Sequence, residues 1–530
     1  MASSRPAWAI RTALLATVLT PFPLVAQTLT MGLGSPVSSL DPHYHQLRSN
    51  NEVATMLFDG LLISDKQGRL QPGLAESWRA VGEDIWEFRL RPGVRFHNGS
   101  AFEADDVAFT LERIPKITGP GASFSTLIRP VRNVEVVDPL TIRMRTDGPF
   151  PLLPTYLSQV AMLDRQTHEN ATTEDFNSGK AAIGTGAFRF TSYQPGDRIV
   201  FERNPEYWGP QQPWARVNYR MITNAGARSA ALVAGDVDFI DQLPTADIAR
   251  FRQDHRFRVV DSTSLRVMYV TLDSTRGADI PGVSGPDGEA LDRNPLADLR
   301  VRRALSMAID RNGLVERVME GSALATGQIM PPGAVTYVPD IPTPMMDMEG
   351  ARRLLTEAGF PRGFRITLAG SNDRYMNDAR MVQAIGQMWT RMGVRTTVEA
   401  APYASFIGRA TRREVPTALL TWANSTGEAS VALNSVLRTV DRDRGRGVAN
   451  RTRYTNPQLD ALLAQAEREM ADDRREALLQ EATRLAMADV PLIPLYIQKS
   501  QWAMRANLTY EPRVDERNAP GMVRPTDGRP

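Results

Sequence analysis

Residues 70–110 read LQPGLAESWRAVGEDIWEFRLRPGVRFHNGSAFEADDVAFT. Within them Trp86, Phe88 and Leu90 alternate with charged neighbours, the period-two pattern of a strand with one buried face. Val94 and Phe96 resume the alternation after Pro92–Gly93, which predicts a hairpin-like strand pair. Asn98–Gly99 supplies turn chemistry. Asp105 and Asp106 then open a short helix through Phe109 and Leu111, where carboxylates favour the positive end of the helix dipole. Strands, turn and helix follow one another so closely that the chain reads as α/β.

Working outward, further strand pairs are predicted at 133–137 with 140–144, turning at Asp138–Pro139, and at 188–190 with 199–201, turning at Pro195–Gly196–Asp197. The second half is richer in helices. Asp298 caps a predicted helix whose Val301, Leu305, Ala308 and Ile309 share one face, with Gly321 near its end. Asp347 begins another that stops at Gly359. Asn456–Pro457 reads as a cap followed by proline at the first helical position, with Leu459, Leu462, Leu463 and Ala466 as the apolar stripe. A last helix carries Leu478, Leu479, Ala482 and Leu485 and breaks at Pro491 and Pro494. These stripes are core positions. Between about Thr275 and Asn294 the Gly/Asp/Pro-rich stretch RGADIPGVSGPDGEALDRN reads as a surface insertion or an interdomain linker.

A chain of 530 residues exceeds what one core usually supports, so two or more lobes are expected. The formal charge of +2 gives no bulk electrostatic reason to bind nucleic acid or an anionic membrane. Arg5 and Arg11 precede an apolar run from Thr12 to Ala26 that Pro21 and Pro23 interrupt. It is too short to span a bilayer and reads as a secretory signal peptide, cleaved after Ala26, although Leu24 stands where a smaller residue is usual. The sequence holds no Cys, which removes disulfides, thiolate metal sites, cysteine nucleophiles and a lipid-modified cysteine. The expectation is an exported periplasmic protein without a lipid anchor.

Enzyme signatures do not assemble. The histidines His43, His45, His97, His168 and His255 are scattered. His43 and His45 would share a face of an extended segment, but a third metal ligand is missing. His168–Glu169 lacks the second His of a zinc-protease helix, and Gly179–Lys180 lacks the upstream Gly of a phosphate loop. Gly184–Thr185–Gly186 has no third Gly, and no Gly-x-Ser-x-Gly elbow occurs. No cofactor, metal or catalytic residue is expected.

The 70–110 stretch closely resembles a hallmark of the family 5 bacterial extracellular solute-binding proteins, the periplasmic receptors of peptide, nickel and related ABC importers. The resemblance continues, in order along the chain, through GTGAFRF…GDRIVFERNPEYWG at 184–209 and LRVRRALSMAIDRNGLV at 299–315. It takes in the D-x3-A-x2-LL-x2-AG spacing from Asp347 to Gly359, and ends with YTNPQLDALLAQA and DVPLIPLY at 454–496. The resemblance implies a bilobed flytrap, the periplasmic-binding-protein fold. One lobe would hold 27–265 and 496–530, enlarged by a subdomain at 46–180, and the other 266–495. It implies a small-molecule ligand in the interlobe cleft, a permease and ATPase complex as partner, and a monomer. Trp86, Phe96, His97 and Asp106 would be framework residues.

Peptide-binding relatives often carry a Trp followed three residues later by an Asp that holds the peptide α-ammonium. In TWANSTGEAS, Trp422 is followed at that distance by Ser425, which has no charge to pair, and Glu428 stands nearby as a substitute acid. Other candidates follow from position in the resemblance. They are Tyr44, Tyr269, Asn372 and Arg374, the last able to clamp a carboxylate bidentately. A peptide or peptide-like ligand leads, with opine, sugar or metal-chelate ligands as alternatives. A secreted hydrolase and a periplasmic holding chaperone are the remote ones.

Overall fold

Two long strands, Phe257–Leu272 and Leu492–Arg505, run antiparallel beside each other through the middle of a twelve-stranded sheet. The computed structural model describes residues 28–526 apart from 120–122, 276, 279 and 425. The segment read as a signal peptide and the candidate Ser425 therefore lie outside the described residues.

On one side of the long pair the sheet continues through Phe239–Ile240, Thr28–Leu33, Arg216–Met221, Arg198–Arg203 and Phe188–Gln194. On the other it continues through Thr417–Ala423, Arg365–Ser371 and Val283–Ser284, with Arg395–Ala401 pairing Arg365–Ser371. Parallel pairing marks the heart of each half: Thr28–Leu33 lies parallel to Arg216–Met221, and Arg365–Ser371 parallel to Arg395–Ala401. Leu29, Met31 and Leu33 share one strand face and are buried in the core there, and Gly32 on the opposite face is covered by Val237.

The halves have separate cores. Leu29, Phe201, Tyr219, Trp502 and Met504 belong to one, and Met268, Leu305, Ile385, Trp389 and Ile493 to another. Each long strand thus contributes its two ends to two different cores. A third core, drawn from Leu61 to Met162, surrounds a separate four-stranded antiparallel sheet. The helix Arg48–Leu57, by contrast, packs Val53, Ala54, Met56 and Leu57 into the first core.

The 70–110 stretch corrects one expectation. Ile85–Leu90 is a strand, but its partners are Ala75–Ala80 and Thr141–Thr146, not 94–96. Residues 94–96 make only the isolated bridge Arg95–Ala101. Val94 and Phe96 are buried all the same, because the segment after Pro92–Gly93 tucks beneath the helix Ala104–Arg113 without forming a ladder. That helix begins as expected, with a capping box in which Asp106 accepts from the Glu103 N–H at 2.9 Å. The strand pairs at Val131–Asp138 with Thr141–Thr146 and at Phe188–Gln194 with Arg198–Arg203 also form.

Asp298 caps Leu299–Met307 by accepting from the Arg300 N–H at 2.9 Å, but this helix ends earlier than its apolar stripe suggested. Asp310 opens a new short turn, Arg311–Gly313, followed by a wide helical turn over Leu314–Val318. The competing acceptor is the Asp310 side chain, which takes the Gly313 N–H at 2.8 Å and restarts the chain. The Gly/Asp/Pro-rich stretch is no linker between the halves. Val283–Ser284 adds to the sheet edge beside Arg365–Ile366, and Arg365 and Arg395 both donate to the Pro286 carbonyl.

Candidate functional site

The sheet halves and the third core meet around a cleft of about 390 Å³, within the range of small-molecule sites. Its walls come from four segments. Gln46, Arg48, Asn51 and Thr55 lie just before and along the helix Arg48–Leu57, and Ser158 and Gln159 follow the four-stranded sheet. Asp515, Glu516 and Arg517 belong to the C-terminal segment, and Leu265, Arg266, Asn424, Thr426 and Gly427 to the other half. The walls approach closely at one end. A Cβ on Gly427 would stand 3.5 Å from the Gly68 carbonyl oxygen, and Met470 packs against the third core.

Arg266 owes its position to an irregularity in the long strands. The register with Leu492–Arg505 shifts between Thr263 and Val267, which face Lys499 and Ile497. Ser264, Leu265 and Arg266 therefore bulge out, a device that re-aims side chains. Ser264 Oγ donates to the Gln498 carbonyl at 2.8 Å, and the Leu265 carbonyl accepts from the Asn424 N–H at 3.0 Å. The bulge brings Asn424 and Arg266 to the same wall.

Glu516 is 9% exposed and adopts φ 60°, the left-handed region uncommon for residues other than glycine. Its turn is fixed by Asp515, whose carboxylate accepts from Arg513 Nε at 2.9 Å and Arg517 Nε at 2.8 Å. Burial would raise the Asp515 carboxyl, but the Arg517 and Arg513 charges hold it well below its ordinary value. The Glu516 carboxylate accepts from Arg48 Nη1 at 3.1 Å, from Arg266 Nη2 at 3.4 Å and from Ser500 Oγ. Burial acts to raise this carboxyl too, and the charges of Arg266 and Arg48 outweigh it. Two residues on, Asn518 donates from its N–H to Glu52 at 3.0 Å and accepts from Trp502 Nε1 at 2.7 Å. Glu52, enclosed and also accepting from Tyr219 Oη at 2.5 Å, is pushed up to about 7 by burial.

The residues singled out in the sequence divide. Trp422 lies on the strand Thr417–Ala423, directly before cleft residues Ala423 and Asn424. Its indole N–H is buried with no acceptor among the described residues. Trp422 and Tyr269 together line a separate small apolar pocket behind the cleft wall. Glu428 is buried and engaged with Ser430 Oγ and with Arg475 Nε at 3.3 Å. Its backbone carbonyl accepts from Asn424 Nδ2 at 2.5 Å, so Glu428 holds the loop that forms the wall. Tyr44 is half-buried between cleft residues Pro42 and Gln46, its ring against His45. Asn372 and Arg374 are exposed and are not among the described cleft residues; the Arg374 guanidinium lies over the Tyr403 ring at 5.3 Å.

Sequence reasoning missed Arg48, Arg266 and Glu516. Arg266 carried a faint signal, as the charge interrupting the apolar run LRVMYV; Arg48 and Glu516 carried none. Framework residues are used internally. His97 Nε2 bonds the Gly186 carbonyl at 3.0 Å while Nδ1 accepts from the Gly184 N–H at 3.2 Å. Trp86 Nε1 donates to the Phe150 carbonyl at 3.1 Å. His43 is enclosed, facing the Ala161 carbonyl at 2.9 Å and Arg113 at 3.0 Å. Among the described residues no three His, Asp or Glu side chains converge as a metal set, and no helix is long and apolar enough to cross a membrane.

Residues 69–443 match the family model described as bacterial extracellular solute-binding proteins, family 5, middle region. The heme-binding protein A of Haemophilus influenzae is 27% identical over 82% of this chain and 80% of its own length. The glutathione-binding protein GsiB of Salmonella paratyphi A is 26% identical over 93% of this chain and 94% of its own. Among solved structures, HbpA2 from Haemophilus parasuis superposes with a TM-score of 0.82 at 22% identity, covering 94% of this chain and 100% of that one. The murein tripeptide-binding protein MppA, in an unliganded open form, gives 0.81 at 22% identity over 94% and 98%.

Proposed function

The chain belongs to family 5 of the bacterial extracellular solute-binding proteins, and we propose that it is the periplasmic receptor of an ABC importer. It takes a peptide or peptide-like solute into the cleft between its lobes and presents the closed form to an inner-membrane permease. The lobes divide the chain as 27–265 with 496–530, carrying the 46–180 subdomain, and 266–495. The receptor acts as a monomer, by binding and release without turnover. The observation that carries this reading is the composition of the cleft, whose walls belong to both lobes. A solute seated there contacts both at once and so favours their closed arrangement through differential affinity.

Asn424, Thr426 and Gly427 form the second-lobe wall, with Trp422 backing it, and Glu428 acts as a positioning residue through Asn424. The relatives named for glutathione and a murein tripeptide favour a peptide-like solute. The same receptor role for an opine, a sugar or a metal chelate is the second reading, because Ser425 stands where an ammonium-pairing acid would be expected. Mass spectrometry of solute released from the purified, denatured protein tests the proposal. Thermal melting against a solute panel accompanies it, since ligand that selects the folded state raises the melting temperature by mass action. Release of a peptide-like compound that raises the melting temperature is the expected result. Turnover of panel members without any shift would sink the receptor reading.

A further inference from the structure

Resting on the receptor reading, we propose that the cleft selects solutes bearing a free carboxylate, gripped between the Arg48 and Arg266 guanidinium groups at the Glu516 cluster. The two arginines come from different parts of the fold. Arg48 is the first residue of the helix Arg48–Leu57, and Arg266 sits on the bulge where the long strand enters the second lobe. Both line the same cavity. Among the described residues, the Arg48 side chain makes one hydrogen bond and the Arg266 side chain one, both to Glu516 Oε2. A guanidinium is a planar fork of several donors with no acceptor, so most of each fork remains unused. Their side chains keep 35% and 27% exposure, while Glu516 keeps 10%. The carboxylate between them is enclosed, and the donors around it are open to the cavity.

Arg48, Arg266, Arg513 and Arg517 pair with two carboxylates, Asp515 and Glu516, and the charges of Glu52 and Asp241 also act on Arg48. The first turn of the helix Arg48–Leu57 favours an anion at its open end, because its N-cap residue Leu47 offers no side-chain acceptor to the leading N–H groups. Glu516 already rests between the two forks and takes one donor from each. A ligand carboxylate would engage the unused edges of the forks, joining the helix of one lobe to the entry strand of the other. Asn424, Thr426 and Gly427 would cover the rest of the molecule.

The test uses the full-length purified protein and matched probes. Reduced glutathione and the tripeptide Ala-Ala-Ala are compared with their methyl esters by titration calorimetry, alongside mass spectrometry of co-purified solute. The expected result is that every bound or released solute carries a free carboxylate, and that esterification weakens binding at least about tenfold. In Arg48→Gln or Arg266→Gln the acid loses that advantage, so acid and ester bind alike. Lysine at either position keeps the charge without the fork and recovers only part of the affinity. If a variant fails to fold, the acid–ester comparison on the unaltered protein still decides. A released solute without a free carboxylate, or an ester binding as tightly as its acid, overturns the carboxylate assignment and leaves the receptor reading intact. If nothing is released and no panel solute binds, the receptor reading falls and takes this inference with it.

Discussion

Two arginine–carboxylate clusters in the molecule each enclose a carboxylate and have opposite fates. In the first, Arg113 Nη2 lies 2.7 Å from Asp41, with side-chain exposures of 6% and 0%. Both oxygens of Asp41 are used, since Arg113 Nη1 and Thr173 Oγ1 also donate. The guanidinium lies over the Phe176 ring at 4.9 Å. In the second, Glu516 is nearly as enclosed, yet its partners Arg48 and Arg266 stay open to the cleft. An ion pair therefore says little about function until the remaining donors of its cation are traced. A sealed fork holds the framework; an open one can hold a solute.

The comparison breaks if the two clusters respond alike to mutation. Arg113→Leu leaves Asp41 buried without its partner and should cost about 3–5 kcal/mol of stability, measured by urea unfolding without ligand. Protein that does fold should bind solute with unchanged affinity. Failure to lose stability would mean that the cluster is not sealed in solution.

The next effect is pH-dependent and belongs to the framework. Burial lowers His97 to about 4, below its ordinary value of 6.5. The unfolded chain therefore takes up this proton first as pH falls, and stability is lost from about 6.5 down through about 4. His97→Gln preserves a donor for Gly186 and an acceptor for Gly184. It should flatten the acid limb of the unfolding curve by about 1–3 kcal/mol relative to the unaltered protein. Glu52 opposes this trend, because a raised carboxyl favours the folded state at low pH and loses that advantage as pH rises from about 4.5 to about 7. An equal slope in both proteins would place the His97 titration outside this window.

At the open cluster, Arg266→Gln should change unliganded stability by less than about 1 kcal/mol, because Arg266 is partly exposed and Glu516 keeps Arg48 and Ser500 as donors. Its affinity for a carboxylate solute should fall about tenfold, near 1.4 kcal/mol. A stability loss as large as that of Arg113→Leu would abolish the distinction. The smallest effect on affinity is expected at Glu428, whose partner Arg475 is 13% exposed. Glu428→Gln should cost about 1 kcal/mol of stability and weaken solute binding only a few-fold, by loosening the Ser430 and Arg475 contacts that keep its backbone carbonyl against Asn424. A larger loss of affinity than Arg266→Gln would make Glu428 a direct ligand contact.

Much of the fold was legible residue by residue. The caps at Asp298, Asp347 and Asn456 and the hairpins at 131–146 and 188–203 form where local chemistry places them. Capping and turn preferences act over a few residues and need no tertiary partner. The error at 94–96 has the opposite origin. Alternating burial records which side chains face a core, and a buried segment beneath a helix satisfies that pattern as well as a strand does. Helix termination near Asp310 depended on one side chain competing for a backbone N–H, which an apolar stripe does not register.

The candidate site was less legible. Trp422 was singled out because the resemblance carries that position, and it lies next to cleft residues Ala423 and Asn424 while lining a pocket of its own. Arg48, Arg266 and Glu516 lie 218 and 250 residues apart in sequence order, the separation between Arg266 and Glu516 being the larger. No local pattern joins them.

From the sequence alone came the α/β class, the cysteine-free composition and the resemblance to family 5 of the solute-binding proteins, because these rest on short-range patterns and motif order. Tertiary structure decided which charges face the cleft. A register shift between the two long strands aims Arg266, and the left-handed Glu516 turn meets it from the far end of the chain. Whether an arginine is exhausted or open is a property of everything packed around it, and that is settled only when the distant segments come together.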